Sequence, residues 1–260
     1  MKATISWKGD SLTVDLSCGK SLAINIDPDG AHPSFFSDTS ARSRPLKVGS
    51  FVGDMSKGGS CNAEVFEFST HSHGTHTECL GHICIEHQNV TEVIDQEPTL
   101  MRLTTIDCDS LGPDQVIPAS LISDIGQFDG NALAIRTRPN HPDKKSRNYD
   151  EAPGFPVLSK DAMHALSSSH LIHLLLDTPS ADHPDSEVLE NHASWWGLDE
   201  TVTPGVPDAS KRSITEMIFV PDEIPDGDYW LELQLPPLLS DAVPSRPVIY
   251  PLKRHQGADL

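Results

Sequence analysis

The chain has 260 residues and is strongly acidic, because 19 Lys and Arg residues face 38 Asp and Glu residues and leave a formal charge of −19. Such a charge repels a phosphate backbone, and no basic cluster offsets it, so nucleic-acid binding is excluded. The length suits one large domain, residues 1–260, with a full core that needs no disulfide or structural metal.

Membrane and secretory segments are not expected. The first residues contain no long apolar run, and no stretch approaches the roughly 18 apolar residues that a membrane helix needs. The five cysteines are odd in number and show no CxxC spacing. Reduced thiols and a cytoplasmic location are therefore expected, with a small molecule rather than a membrane as partner.

The predicted elements are mostly strands. Short apolar runs predict strands at 3–7, 12–16, 22–26, 64–69, 131–136, 171–176, 214–220 and 229–235, with a period of two in the first 26 residues and at 64–69. A Ser-, Gly- and Pro-rich stretch at 31–62 predicts a long loop. Helices are expected at 160–167, capped by Ser159, and at 187–196, capped by Asp185 or Ser186. Helices that alternate with more numerous strands predict a single mixed α/β domain.

One segment carries the chemistry. Five of the thirteen histidines lie between positions 71 and 87, interleaved with Glu78. Imidazole and carboxylate groups together are the ligands of a Zn²⁺ or Mn²⁺ site that keeps a position open for water. His76 and Glu78 are two apart in an extended segment, so they point the same way and can share one ion. His82 can lie over that ion as a free acid/base; the alternative for the whole segment is an incidental polar loop.

The histidines at the start of this segment need a change of direction to reach the same ion. His71 and His73 are an odd number of residues from His76, so in a regular strand they point to the opposite face. Gly74 permits a bulge or a positive φ, which would re-aim one of them.

The run Gly74-Thr75-His76-x-Glu78-x-x-x-His82 resembles the signature of the cyclase-type metal-dependent hydrolases. The best-known members are bacterial kynurenine formamidases (arylformamidases), and the family pattern is H-x-G-T-H-x-D-x-P-x-H. The resemblance implies that His76 and Glu78 are metal ligands and that His82 is the catalytic acid/base.

Three positions depart from that pattern. Ser72 occupies the place of the first histidine, Glu78 replaces Asp, and Leu80 replaces Pro. A shift of one residue would supply the missing imidazole, from His71 as the favoured ligand or from His73 as the alternative. The departures indicate a side branch of the family.

The resemblance extends from about residue 46 to residue 250. Residues 132–137 resemble the family strand that ends in Arg-Thr, and residues 177–182 match its D-T-P-S-x-D segment. By resemblance, a later His and Glu complete a second metal position. His192 is the candidate for the His, offset by one if Asn191 holds the family position, and Glu216 is the candidate for the Glu.

Other residues allow two interpretations each. Arg136 can meet an anionic substrate or form a surface ion pair, and Asp177 can orient a ligand histidine or simply form a turn. Trp195 and Trp196 can line an aromatic pocket or pack in the core.

The resemblance implies a hydrolase of a non-peptide C–N bond. Expected substrates are a formamide like N-formylkynurenine, in tryptophan catabolism, or a cyclic amide. It further implies one or two Zn²⁺ ions per chain (Mn²⁺ as the alternative), a swivelling β/β/α fold and a homodimer or homotetramer. A lactam-opening or cyclising enzyme, or a non-catalytic metal-binding protein with a decayed site, are the competing interpretations.

Overall fold

The computed structural model describes residues 1–37, 40–112, 115–152, 154–198 and 208–255. Within these ranges the strands are β1 (Lys2–Trp7), β2 (Asp10–Asp15), β3 (Lys20–Ser21), β4 (Arg42–Pro45), β5 (Lys47–Val48), β6 (Phe51–Val52), β7 (Glu64–Glu67), β8 (His76–Glu78), β9 (Thr99–Asp107), β10 (Val116–Ile117), β11 (Ala132–Arg138), β12 (Val157–Leu158), β13 (His173–Leu176), β14 (Ser213–Glu216), β15 (Gly227–Gln234), β16 (Ala242–Pro244) and β17 (Arg246–His255).

The helical elements are few and short. The α-helices are α1 (Val90–Val93), α2 (Lys160–Ser167) and α3 (Glu190–Trp195). The 3₁₀ turns are Leu16–Cys18, Met55–Lys57, Leu80–His82, Cys108–Ser110, Ala119–Gln127, Pro142–Lys145 and Ala209–Lys211. None of the helices in the described residues is long and apolar enough to cross a membrane.

A mixed sheet of eleven strands forms the centre of the molecule, as the α/β prediction requires. Its order is β1-β2-β17-β15-β9-β11-β13-β14-β8-β16, with β3 added beside β17. Strands β9, β11, β13 and β14 run parallel, and β8 returns antiparallel to β14. Strands β13 and β14 are buried along their whole length and β11 at all but its last residue, so both faces of the sheet are covered there. Their carboxyl ends share one edge, where the candidate site lies.

Helices α2 and α3 cover one face of the sheet. Ser159 caps α2 as predicted, because its hydroxyl accepts a hydrogen bond from the Ala162 amide at 3.1 Å. Met163 and Leu166 of α2 are fully buried in the same apolar cluster as Leu174 of β13. Residues of opposite parity in β11 and β13 form a second cluster on the other face.

Several predicted boundaries were wrong. The stretch 22–26 forms an isolated bridge from Ala23 to Ile218 instead of a strand, and the predicted loop at 31–62 contains β4, β5 and β6. The strand predicted at 214–220 ends at Glu216, because Met217 has a φ of 53°. Helix α3 begins at Glu190 after Leu189, whose φ of 47° takes the place of the expected Asp185 or Ser186 cap.

Two long strands had no prediction. Strand β9 is buried along most of its length, so it lacks the alternation that would indicate a strand. Strand β17 contains Pro247 and Pro251, which argue against a strand from sequence alone. It nevertheless pairs with β2 and β15.

Candidate metal centre

Strand β8 carries two of the predicted ligands and lies between two strands that each bring a carboxylate nearby. In the register with β14, Glu216 is opposite His76, and the His76 Nε2 lies 3.4 Å from a Glu216 oxygen. In the register with β16, Ala242 is opposite Glu78, so the preceding residue, Asp241, lies at the same edge. His76 and Glu78 share one face of β8, as predicted, and both are fully buried.

Helix α3 supplies His192 to the same point. Its Nε2 lies 3.0 Å from Glu78 Oε1 and 3.6 Å from Glu216 Oε1. Asp182 holds the other side of the ring at 2.5 Å from Nδ1, and it also accepts the backbone amides of Asn191 and His192. Asn191 itself points elsewhere, because its amide donates to two backbone carbonyls. The structure therefore places His192, not its neighbour, at the site.

The structure distinguishes the two candidates for the first histidine. His71 Nδ1 lies 3.2 Å from Glu78 Oε2, whereas His73 lies against Ser37 and Ser69 outside the cluster. Gly74 makes this change of direction possible, because its φ of 148° is an angle that glycine adopts readily and other residues rarely do. A Cβ added at Gly74 would also lie 2.8 Å from Ile26. His71 therefore lies among the predicted ligands.

His82 lies at the mouth of the cluster and is partly exposed. Its ring stacks on His71 with centroids 4.2 Å apart, and its Nε2 is 3.8 Å from Glu78 Oε2. The 3₁₀ turn Leu80–His82 brings it there. This position, beside the ligands and open to a cavity, suits a group that moves protons.

The buried polar atoms of the cluster fit a divalent cation. The Nε2 atoms of His76 and His192 and both carboxylate oxygens of Glu78 are buried without a hydrogen-bond partner. Neutral imidazole nitrogens and carboxylate oxygens are the donor set for Zn²⁺ or Mn²⁺. Ligands at about 2.0–2.1 Å from a tetrahedral ion lie roughly 3.3 Å apart, close to the 3.0–3.6 Å that separate these atoms.

Glu78 belongs to two overlapping groups of potential ligands. One comprises His71, His76 and Glu78, and the other comprises Glu78, His82 and His192, with the ligand atoms of each group within 4.8 Å of one another. The carboxylate of Glu78 is thus placed to serve one ion or to bridge two.

The carboxylates and imidazoles perturb each other's protonation. Burial raises the pKa of Glu78, but the charges of His192 and His82 outweigh burial and hold that pKa well below its usual value. Burial lowers the pKa of His192, yet Glu78 and Asp182 raise it well above the ordinary histidine value. Burial also lowers the pKa of His71, but its contacts with Asp241 and Glu78 outweigh burial and raise that pKa to about 10. The cluster therefore strongly favours positive charge beside its carboxylates.

A cavity of about 930 Å³ opens onto the cluster. Its lining combines three imidazoles and Glu216 of the cluster with apolar side chains and the loop that follows β13: Phe35, Phe36, Ser69, His71, Ser72, His82, Pro179, Ser180, His183, Pro184, Asp185, Ser186, Glu187, Leu189, His192 and Glu216. The volume suits a small organic molecule.

Two residues with open interpretations, Arg136 and Asp177, have structural contacts. Arg136 is buried and donates to Asp226 and to the carbonyls of Pro221 and Ile224, so its guanidinium is held within the fold. Asp177 orients no histidine; it accepts from Thr137 and pairs with buried Lys144 at 2.8 Å.

Trp195 and Trp196 belong to the apolar core and do not line the cavity. Trp196 nevertheless packs next to the site, because the centroid of its ring lies 5.8 Å from that of His192. The core interpretation is therefore correct for both.

Two residues near the cluster, Asp182 and Asp241, were not predicted from the sequence. Asp182 is the last residue of the D-T-P-S-x-D match, but the match by itself assigned it no role. Asp241 lies 2.9 Å from His71 Nε2 and 3.5 Å from His82 Nδ1. No local pattern marks Asp241, because it reaches the site through the pairing of β16 with β8.

Comparison with known proteins identifies the family. The profile described as "Putative cyclase" matches residues 11–183, more than half of the chain. That range includes the histidine-rich segment and the residues up to Asp182. No curated protein matches the sequence.

Solved structures share the fold at low identity. A predicted metal-dependent hydrolase from Bacillus stearothermophilus superposes with a TM-score of 0.61 at 14% identity, over 89% of this chain and 97% of that one. Isatin hydrolase A from Labrenzia aggregata gives 0.62 at 18% identity, over 89% and 93%. Isatin hydrolase A from Ralstonia solanacearum gives 0.60 at 15% identity, over 90% and 91%.

Proposed function

Because this chain belongs to the cyclase family, we propose that it is a metal-dependent hydrolase that cleaves a carbon–nitrogen bond other than a peptide bond. The observation that carries the proposal is the set of buried, unpartnered ring nitrogens and carboxylate oxygens that converge at β8. Uncompensated buried polar atoms are costly, and a divalent cation would compensate all of them together.

His71, His76, Glu78, His192 and Glu216 would hold the metal, Zn²⁺ in the first instance and Mn²⁺ as the alternative. A bound ion would polarise the substrate carbonyl and lower the pKa of a water molecule towards about 7. Asp182 keeps the proton of His192 on Nδ1, which leaves Nε2 free as a ligand atom.

His82 would be the acid/base. Its Nε2 faces the ligand cluster, and its ring lines the cavity. Acting as a base, it would accept a proton from the attacking water at Nε2; acting as an acid, it would return that proton to the leaving nitrogen. The carbonyl carbon gains the C–O bond as the C–N bond breaks.

The cavity favours an uncharged substrate with a ring. Phe35, Phe36 and Leu189 offer apolar contacts. Among the described lining residues there is neither Lys nor Arg to pair with a substrate carboxylate, and Asp185 and Glu187 would repel one. A neutral aryl formamide or a cyclic amide therefore fits this cavity better than a substrate that bears a free carboxylate.

The proposal is tested by metal content and by hydrolysis of a substrate panel. Protein purified without chelators or a histidine tag should carry one or two Zn or Mn per chain. Zinc-loaded protein should hydrolyse isatin or formanilide faster than 2-formamidobenzoate, which bears a carboxylate. Removal of the metal with a chelator should abolish this activity, and zinc should restore it.

A single substitution separates the role of His82 from that of a ligand. His82→Ala should retain the metal and lose activity by a factor of about 10²–10⁴, the usual contribution of general acid–base catalysis. His183→Ala, at another histidine that lines the cavity, is the matched control and should change turnover far less. Loss of the metal from the His82 variant would make His82 a ligand instead.

The competing proposal is a metal-binding protein without catalysis, suggested by Ser72 at the position of the first family histidine. His71 within 3.2 Å of Glu78 supports the enzyme, because this shifted imidazole supplies the missing donor. Metal retention combined with no hydrolysis of any amide in the panel would favour the non-catalytic protein.

Compartment and assembly complete the proposal. All five cysteines are unpaired, which supports a reducing compartment such as the cytoplasm. Exposed apolar side chains support a homodimer or homotetramer: Val48 in β5, Phe66 in β7, and Met55 in the 3₁₀ turn between β6 and β7. Light scattering coupled to size-exclusion chromatography tests the assembly.

A further inference from the structure

We propose that Asp241 is a positioning residue whose carboxylate orients two imidazoles at once, the ligand candidate His71 and the acid/base candidate His82. The inference rests on the proposed function and adds a residue to its machinery. It is carried by the way both rings lie between the same two carboxylates.

The two rings lie side by side between Asp241 and Glu78. His71 reaches Asp241 Oδ2 with Nε2 at 2.9 Å and Glu78 Oε2 with Nδ1 at 3.2 Å. His82 reaches the same two oxygens at 3.5 Å and 3.8 Å, through Nδ1 and Nε2 respectively. The rings are nearly parallel, with 29° between their planes. One oxygen of Asp241 thus contacts the outer nitrogen of both imidazoles.

A carboxylate can only accept hydrogen bonds, so Asp241 fixes a proton on His71 Nε2, and the same oxygen, 3.5 Å from His82 Nδ1, favours a proton there. When a cation bound at the cluster keeps both rings neutral, the remaining nitrogen of each ring presents a lone pair towards Glu78, where the ligand cluster lies. His71 can thereby act as a ligand through Nδ1, and His82 can accept a proton at Nε2. Without Asp241 both rings could adopt the other tautomer, with a proton directed at the cluster.

The backbone and a neighbouring hydroxyl hold Asp241 in place. Its carbonyl accepts the Cys79 amide at 3.0 Å, and Ala242 begins β16 opposite Glu78. Ser240 donates to its other carboxylate oxygen at 3.1 Å. The carboxylate is therefore fixed relative to β8. This arrangement explains how a histidine one position before the family's ligand position can serve the site.

Asp241→Asn tests the inference, because the amide is isosteric but puts a donor where one acceptor oxygen lies. Its zinc dissociation constant, measured by competition with a chromophoric chelator, should rise 10–100-fold. With zinc at saturation, kcat for isatin or formanilide should fall at least tenfold, while KM changes less than twofold. Long-range nitrogen–proton correlation spectra of the zinc-loaded protein should show a single tautomer of each ring in the wild type and mixed tautomers in the variant.

Asp228→Asn is the matched control. Asp228 is also a partly buried carboxylate paired with a cationic side chain, Arg102 at 2.9 Å, but β15 lies five places from β8 in the sheet. This control should retain the wild-type zinc affinity, kcat and tautomers.

Asp241→Ala repeats the experiment without the new amide donor, so the conclusion does not depend on one variant. Wild-type zinc affinity and tautomers in both Asp241 variants would overturn the inference while leaving the proposed function intact. A wild-type protein that neither binds zinc nor hydrolyses the panel would instead overturn the proposed function, and the inference with it.

Discussion

Replacing Asp182 by Asn should weaken metal binding through the tautomer of His192. In the wild type, Asp182 Oδ2 accepts both the His192 backbone amide at 3.1 Å and its ring Nδ1 at 2.5 Å, and Oδ1 accepts the Asn191 amide at 2.8 Å. An asparagine turns one of these acceptors into a donor that faces another donor. The relief available on the Oδ2 side is a shift of the His192 proton to Nε2, which then points at Glu78.

The magnitude follows from that conflict. Loss of a carboxylate that orients a metal-bound histidine typically costs 10–100-fold in affinity, which is about 1.4–2.7 kcal/mol. The metal-free protein should also lose about 1–3 kcal/mol of unfolding free energy, because a buried donor at the start of α3 is left unsatisfied. The effect on zinc should exceed any change that arises merely from a looser helix.

Chelator competition measures the zinc dissociation constant, and denaturant unfolding in EDTA measures stability without metal. Asp185→Asn is the matched control, because Asp185 lies in the same loop with 91% of its side chain exposed. A dissociation constant for the Asp182 variant within twofold of the control would refute the reasoning, since the orienting carboxylate would then be unnecessary.

Three further predictions concern stability and backbone geometry. Burial lowers the pKa of His173 to about 4, so the folded ring stays neutral while the unfolded ring is protonated below about pH 6.5. The free energy of unfolding should therefore fall by about 3 kcal/mol from pH 6.5 to 4. His173→Gln should remove that loss in unfolding experiments with EDTA. Asp177→Asn should cost about 3–5 kcal/mol, because it leaves buried Lys144 without its partner, and adding Lys144→Met should recover part of it; an unchanged midpoint would contradict this. Gly74→Ala should cost about 1–3 kcal/mol in backbone strain and raise the zinc dissociation constant, because the Gly74 carbonyl holds His76 Nδ1 at 3.0 Å; wild-type affinity would show that the turn tolerates a side chain.

The periodic parts of the chain were predictable because their signal is local. Each of these signals is carried by residues only a few positions apart: the alternation in β1 and β2, the apolar runs of β11 and β13, and the serine cap of α2. The same holds for His76 and Glu78, since the period of a strand alone places both on one face.

Elements stabilised by distant partners were not predictable in the same way. Strand β17 forms despite two prolines, because β2 and β15 pair with it from far along the chain. Helix α3 starts later than its local cap signals indicate, because the carboxylate of Asp182 accepts its first amides.

The sequence by itself determined the family, the mixed α/β class and most of the donor atoms of the candidate metal centre. Only the tertiary structure places His71, and not His73, beside Glu78, and it alone brings Asp241 to His71 and His82. The physical reason is that a ligand's identity is a property of its side chain, whereas its aim depends on the backbone turn at Gly74 and on strand pairing between residues more than 150 positions apart.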